Sequence, residues 1–67
     1  MLNQIKKARL IAGLRQKEVA KAMGVAQPSV CQWESGRSFP DIKRLPNLAE
    51  VLHTTVEKLL EDEERAI

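Results

Sequence analysis

Side chains able to do chemistry are few in these 67 residues: one thiol (Cys31), one imidazole (His53), nine carboxylates and eleven Lys and Arg. Nucleophilic catalysis needs a nucleophile within hydrogen-bond reach of a base, and here the thiol and the imidazole fall on different helical patterns. Nothing resembles a phosphate cradle or a metal cluster, since structural zinc alone wants four nitrogen or sulfur ligands. The sequence therefore argues against an enzyme, a bound metal, a cofactor and a small-molecule substrate. What remains is charge, and it is unevenly placed. Across residues 1–44 nine Lys and Arg face three acids, a net +6, and across residues 45–67 two face six, a net −4. One end is expected to attract a polyanion such as nucleic acid, while the other turns to solvent or to a protein partner. The alternative is that surface helices simply carry charge.

Helices must position these groups. Val and Ile occur singly and no run alternates with period two, so strands are not expected. The length allows one all-α domain, near the lower size limit for folding without staples. A single cysteine rules out an internal disulfide, so packing alone must hold the fold. No apolar run approaches the roughly 18 residues of a membrane span, and the N-terminus lacks the long uncharged stretch of a signal peptide. A cytoplasmic protein is expected.

The stretch QKEVAKAMGVAQPSVCQWES organises the chain. Val19, Ala20 and Met23 recur with helical spacing, as do Val30 and Trp33, and Gly24 stands where the first pattern should stop. Two helices over 16–23 and 27–35 are predicted. Neither can bury itself, so they must cross steeply with the small Ala20 at closest approach, Gly24 supplying the positive φ of the turn. Val25, Val30 and Trp33 would fill the wedge. This is the logic of a helix-turn-helix, whose second helix lies in the DNA major groove with its N-terminal residues toward base edges.

A preceding helix is expected from residue 2 or 3 to 12, with Leu2, Ile5, Ala8, Arg9 and Ala12 on one face and Gly13 as its stop. Arg9 is the anomaly on that stripe. It either pairs with Glu34, which would fix how the first helix meets the third, or snorkels to water. Arg15 and Ala26 hold the N-cap positions of the two motif helices and neither offers a side-chain acceptor. The free amides, with Arg15 itself, are expected to face a phosphate; the alternative is sequence drift. Pro28 is harmless in a first turn. Beyond Gly36, the 37–43 loop carries Arg37 and Lys43, with Phe39 expected to plug the core beneath it. Pro46 places the start of a fourth helix at 44 or 45, ending near 52, with His53 where glycine would be the favourable stop. Thr54 or Thr55 caps a fifth helix, in which Val56, Leu59 and Leu60 close the core, and residues 61–67 are expected to fray.

With Gln16, Ala20, Gly24, Gln27, Val30, Trp33, Glu34 and Gly36 in place, the chain resembles the Cro and phage-repressor DNA-binding domain, the XRE-type helix-turn-helix. GLRQKEVAKAMGVAQPSVCQWESG is similar to the family's GLTQxELAxxxGVSQxxISxWExG, and LPNLAEVLHTTVEKLL to its closing two helices. The resemblance spans nearly all of residues 1–67. It implies a lambda-repressor-like bundle of five short helices that binds double-stranded DNA sequence-specifically and regulates transcription, as a repressor. It also implies roles. Gln27 corresponds to the family glutamine that reads a base edge, with adenine N6 and N7 as a bidentate partner, and Gln16 to the residue that binds a phosphate and buttresses that glutamine. Gln32 matches a second base-reading position, on the same face as Pro28, which cannot read by hydrogen bonding. Cys31 replaces the usual serine and either touches a thymine methyl or only packs. Arg9 and Glu34 match the family's structural ion pair. Arg37, Ser38, Lys43 and Arg44 lie in or near the loop that contacts the DNA backbone, and with Arg15, Gln16 and Lys17 they make up the phosphate set.

One such domain reads about half a turn of the groove, so a homodimer on half-sites roughly 34 Å apart is expected, formed in solution or only on DNA. Residues 36–44 and the last helix are the surfaces available for pairing. The competing class is a protein-interaction module, such as an antitoxin or anti-repressor. It is motivated by Leu10 and Ile11, which lie off the buried stripe and form an apolar patch unless they tuck against the last helix.

Overall fold

Apolar stripes of helical period, interrupted by turn formers, set the element boundaries. The computed structural model describes residues 3–60. In them α1 (Asn3–Ala12), α2 (Gln16–Met23) and α3 (Gln27–Ser35) are followed by a 3₁₀ turn (Ile42–Arg44) that runs into α4 (Leu45–Val51) and then α5 (Val56–Leu60). No strand occurs among the described residues, and none of their helices is long and apolar enough to cross a membrane. Leu2 and the acidic 61–67 segment lie outside the described residues.

The core is one cluster to which every helix contributes. Ile5 comes from α1, Val19, Ala20 and Met23 from α2, Val30 and Trp33 from α3, Leu48 and Ala49 from α4, Leu52 from the residue after it, and Leu59 from α5. Ala8, Leu14, Val25, Val51 and Val56 pack against it, half-buried. Ala20 is buried in α2, and its carbonyl accepts from Val25 N at 3.0 Å, which ties the turn to the helix it leaves. Gly24 takes φ 72° and ψ 31°. A Cβ built there would meet nothing within 4 Å, so the requirement is for the dihedral and not for space.

The closing helices are set by the same local chemistry. Asp41 Oδ1 accepts from Lys43 N at 3.3 Å and starts the 3₁₀ turn, and Pro46 sits in the first turn of α4, where no N–H is missed. His53 is the one described residue other than glycine at positive φ, 57°, a left-handed stop. The cap of α5 is Thr55, whose Oγ1 accepts from Lys58 N at 3.2 Å. Thr54 is used differently, its own N–H closing α4 on Ala49 O at 2.8 Å.

Three expectations are corrected. Phe39 does not plug the core: it is 44% exposed, and its neighbour Pro40 is buried instead. Adjacent residues in an extended segment face opposite ways, so only one of the two could turn inward. Leu60 is also exposed, because it lies about 100° round the helix from Leu59 and α5 presents a single narrow stripe. Leu10 and Ile11 do not tuck against α5; they are 58% and 79% exposed.

Candidate nucleic-acid interface

The site is built outward from a buried charge. Arg9 on α1 and Glu34 in the last turn of α3 both lie inside the fold, and Arg9 Nε donates to Glu34 Oε2 at 2.6 Å while Nη2 donates to Oε1 at 3.2 Å. Such a two-pronged guanidinium–carboxylate contact fixes orientation as well as distance. The remaining prong, Nη1, reaches Leu14 O at 2.8 Å and so secures the link between α1 and α2. Three segments meet at one carboxylate.

Gln16 extends this network to the surface. It begins α2 one turn before Val19 and Ala20, on the stripe that faces the core, and is accordingly half-buried. Its Nε2 donates to Glu34 Oε1 at 3.0 Å. Its Oε1 accepts from Gln27 Nε2 at 3.5 Å, and Gln27 is the exposed first residue of α3. An unbroken chain of polar contacts therefore runs from Arg9 in the interior to the leading amide of α3.

Gln32 is held by other means. Three donors converge on its backbone carbonyl: Arg37 N at 3.0 Å, Ser38 N at 3.4 Å and Ser35 Oγ at 3.1 Å. Gly36, at φ 84°, turns the chain back so that these reach it. Ser38 Oγ then lies 3.5 Å from Gln32 Oε1, where the hydroxyl donates to the amide oxygen. Ser38 thus buttresses a second glutamine, donating to its amide oxygen where Gln16 accepts from the amide nitrogen of the first. Sequence reasoning missed this contact, since it requires the loop path, but the link from Gln16 to Glu34 could have been found from the place of Gln16 on the buried stripe.

Pro28 and Cys31 are exposed on α3 between the two glutamines, and Cys31 carries a free thiol. Arg15, Lys17, Arg37, Ser38, Lys43 and Arg44 are all exposed. The cations are not equivalent. Arg44 turns toward the C-terminal end of α2, its Nη1 3.4 Å from Met23 O. Arg15 is the extended residue before α2, and a guanidinium has no acceptor to offer the first-turn amides.

Neither N-cap residue, Arg15 nor Ala26, bonds a first-turn amide through its side chain, as expected. Glu18 Oε1 accepts from Arg15 N at 2.8 Å, so half of a capping box is present at α2 and places a carboxylate beside the amides expected to meet an anion. At α3, Pro28 has no N–H and that of Ser29 turns back onto Ala26 O at 3.0 Å.

Comparison with known proteins agrees with the helix-turn-helix fold. A helix-turn-helix family model matches residues 5–59. An HTH-type transcriptional activator of Enterococcus faecalis, BcrR, is 29% identical over 51 residues, which cover 76% of this chain and 25% of BcrR. The chain thus spans about a quarter of that curated relative's length. Among solved structures, a chain of the SinR protein/SinI protein complex matches the whole of this chain with a TM-score of 0.82 and 29% identity, and 67% of that chain is covered.

Proposed function

The chain belongs to the helix-turn-helix family, in its Cro/C1-type (XRE) branch, and from that membership we propose that it is a cytoplasmic regulator of transcription that binds double-stranded DNA sequence-specifically. In this reading α3 enters the major groove, Gln27 and Gln32 meet base edges with Pro28 and Cys31 between them, and Arg15, Gln16, Lys17, Arg37, Ser38, Lys43 and Arg44 meet phosphates. The observation that carries it is the polar chain from Arg9 to Gln27, which ends in an exposed, oriented amide, its intermediate Gln16 flanked in the chain by the exposed cations Arg15 and Lys17. A buried ion pair is weak evidence for stability in itself, because desolvation offsets its attraction. Here it fixes the end of α3 that would touch bases.

Repression is the simpler outcome, because occupying a promoter suffices for it while activation needs a further surface for the transcription machinery. BcrR carries the name of an activator, so a reporter driven by the selected site decides the sign. Pairing is proposed on DNA through residues 36–44 and α5. Phe39, Ile42 and Leu60 are exposed there and offer apolar contacts to a second copy.

The experiment is selection from a random duplex pool, followed by binding measurements across salt. About five or six phosphate contacts per monomer give a steep slope, roughly 0.9 log unit per contact. Arg37→Ala should weaken specific and random DNA alike and shallow that slope; a flat slope in the parent chain removes the interface.

A second reading has its own observation. Leu10 and Ile11 form an exposed apolar pair on α1, and the SinR neighbour is named in a complex with another protein. A protein-interaction module, of the antitoxin or anti-repressor kind, would bind its partner there. Leu10→Ser with Ile11→Ser would then abolish partner capture and leave DNA affinity intact.

A further inference from the structure

An amide side chain is nearly symmetric in shape but not in chemistry: a half-turn of its last torsion exchanges an acceptor for two donors. Glu34 removes that freedom from Gln16. A carboxylate paired with Arg9 can only accept, so the group Gln16 presents to Glu34 Oε1 must be its NH2, and the two atoms lie 3.0 Å apart. Gln16 Oε1 is thereby turned to Gln27 and must be met by the NH2 of Gln27, at 3.5 Å. What Gln27 has left to show the outside is its Oε1 and its second N–H.

An acceptor beside a donor complements adenine, which presents the N7 acceptor and the N6 donor in the major groove, whereas guanine presents two acceptors, N7 and O6. With the opposite polarity Gln27 would offer two N–H groups and suit guanine. We infer that Glu34 sets which purine Gln27 accepts, by fixing the polarity of two amides in series. Glu34 is a positioning residue in this scheme: it touches no base. The inference rests on the proposal that Gln27 reads a base, and goes further by assigning that choice to a buried carboxylate on the last turn of the same helix.

The probe is a duplex selected by the full chain from a random pool, together with a copy in which one A·T pair is replaced by G·C. The pair is the one at which Gln27→Ala abolishes discrimination. The parent chain should favour adenine by about tenfold or more there. Glu34→Gln keeps the shape but can donate to Gln16, which lets both amides reverse, so the adenine-to-guanine ratio should fall toward one at that position alone. Gln16→Met leaves the Arg9–Glu34 pair whole and should produce the same local collapse, on top of a uniform loss from its phosphate contact. Gln16→Met decides the matter if Glu34→Gln does not fold. An unchanged ratio in Gln16→Met overturns the inference, and so does a loss of discrimination spread evenly over all positions, which is what loosened packing would give. If Gln27→Ala instead weakens every duplex alike, base reading by Gln27 fails first, a distinguishable result.

Discussion

The two ends of α3 present the same side chain by different means. Gln27, at the leading end, is backed by Gln16 and through it by Glu34 and Arg9, a network rooted in the interior. Gln32, nearer the trailing end, is backed by Ser38 from a loop whose polar members are all exposed. The last link to each glutamine is an exposed contact of 3.5 Å, but the one to Gln27 continues inward through Gln16 to a carboxylate and guanidinium shielded from water. A surface contact competes with solvent and can rearrange. The difference suggests that the first amide is the discriminating one and the second the adaptable one.

The most severe way to break the contrast is to remove its root. Glu34→Ala strands the Arg9 guanidinium in the interior and should cost about 3–5 kcal/mol of stability, read by denaturant unfolding. The paired change Arg9→Met with Glu34→Leu should restore most of that loss, because a well-packed apolar pair avoids desolvation altogether. A double variant no better than Glu34→Ala would mean that the pair acts through more than its buried charge.

Next in size is the loss at the leading tip. Gln27→Ala should cost about 1–3 kcal/mol on the selected site and little on random duplex, while Gln32→Ala should cost less on the same site. Equal losses for the two glutamines would erase the distinction between them.

Arg15→Thr sharpens the comparison from the other direction. Glu18 already supplies one half of a capping box, and threonine would complete it, so stability should rise by about 1 kcal/mol while DNA affinity falls with the missing cation. A lower melting temperature would reveal a structural role for the guanidinium. The smallest effect expected is that of Ser38→Ala, about 0.5 kcal/mol in binding, a uniform loss from its phosphate contact with a further loss at the base pairs near Gln32. A loss as large as that of Gln27→Ala would show the loop to be as rigid as the core.

Much of this was legible before folding. Arg9 stood out as a cation on an apolar stripe, with Glu34 as its best partner, and the two are joined in the structure by a two-pronged contact. His53 was visible as an awkward stop because proline and apolar spacing required a helix to end there, and it takes the left-handed conformation that glycine would have taken. The loop after α3 was not legible. Whether Phe39 or Pro40 faces inward is a question of parity in an extended segment, and composition favours the wrong one. The reach of Ser38 to Gln32 depends on a chain reversal at Gly36 that brings residues six apart into contact.

Periodicity and turn chemistry, being local, settled where the five helices lie and, Leu60 apart, which faces they bury, since the 3.6-residue repeat and the dihedral needs of glycine and proline act within a few positions of each other. Only the packed fold decided which way each amide faces. That choice depends on a carboxylate 18 residues from Gln16 in the chain and 3.0 Å from it in space, and such proximity exists only once α1, α2 and α3 have closed around the same buried pair.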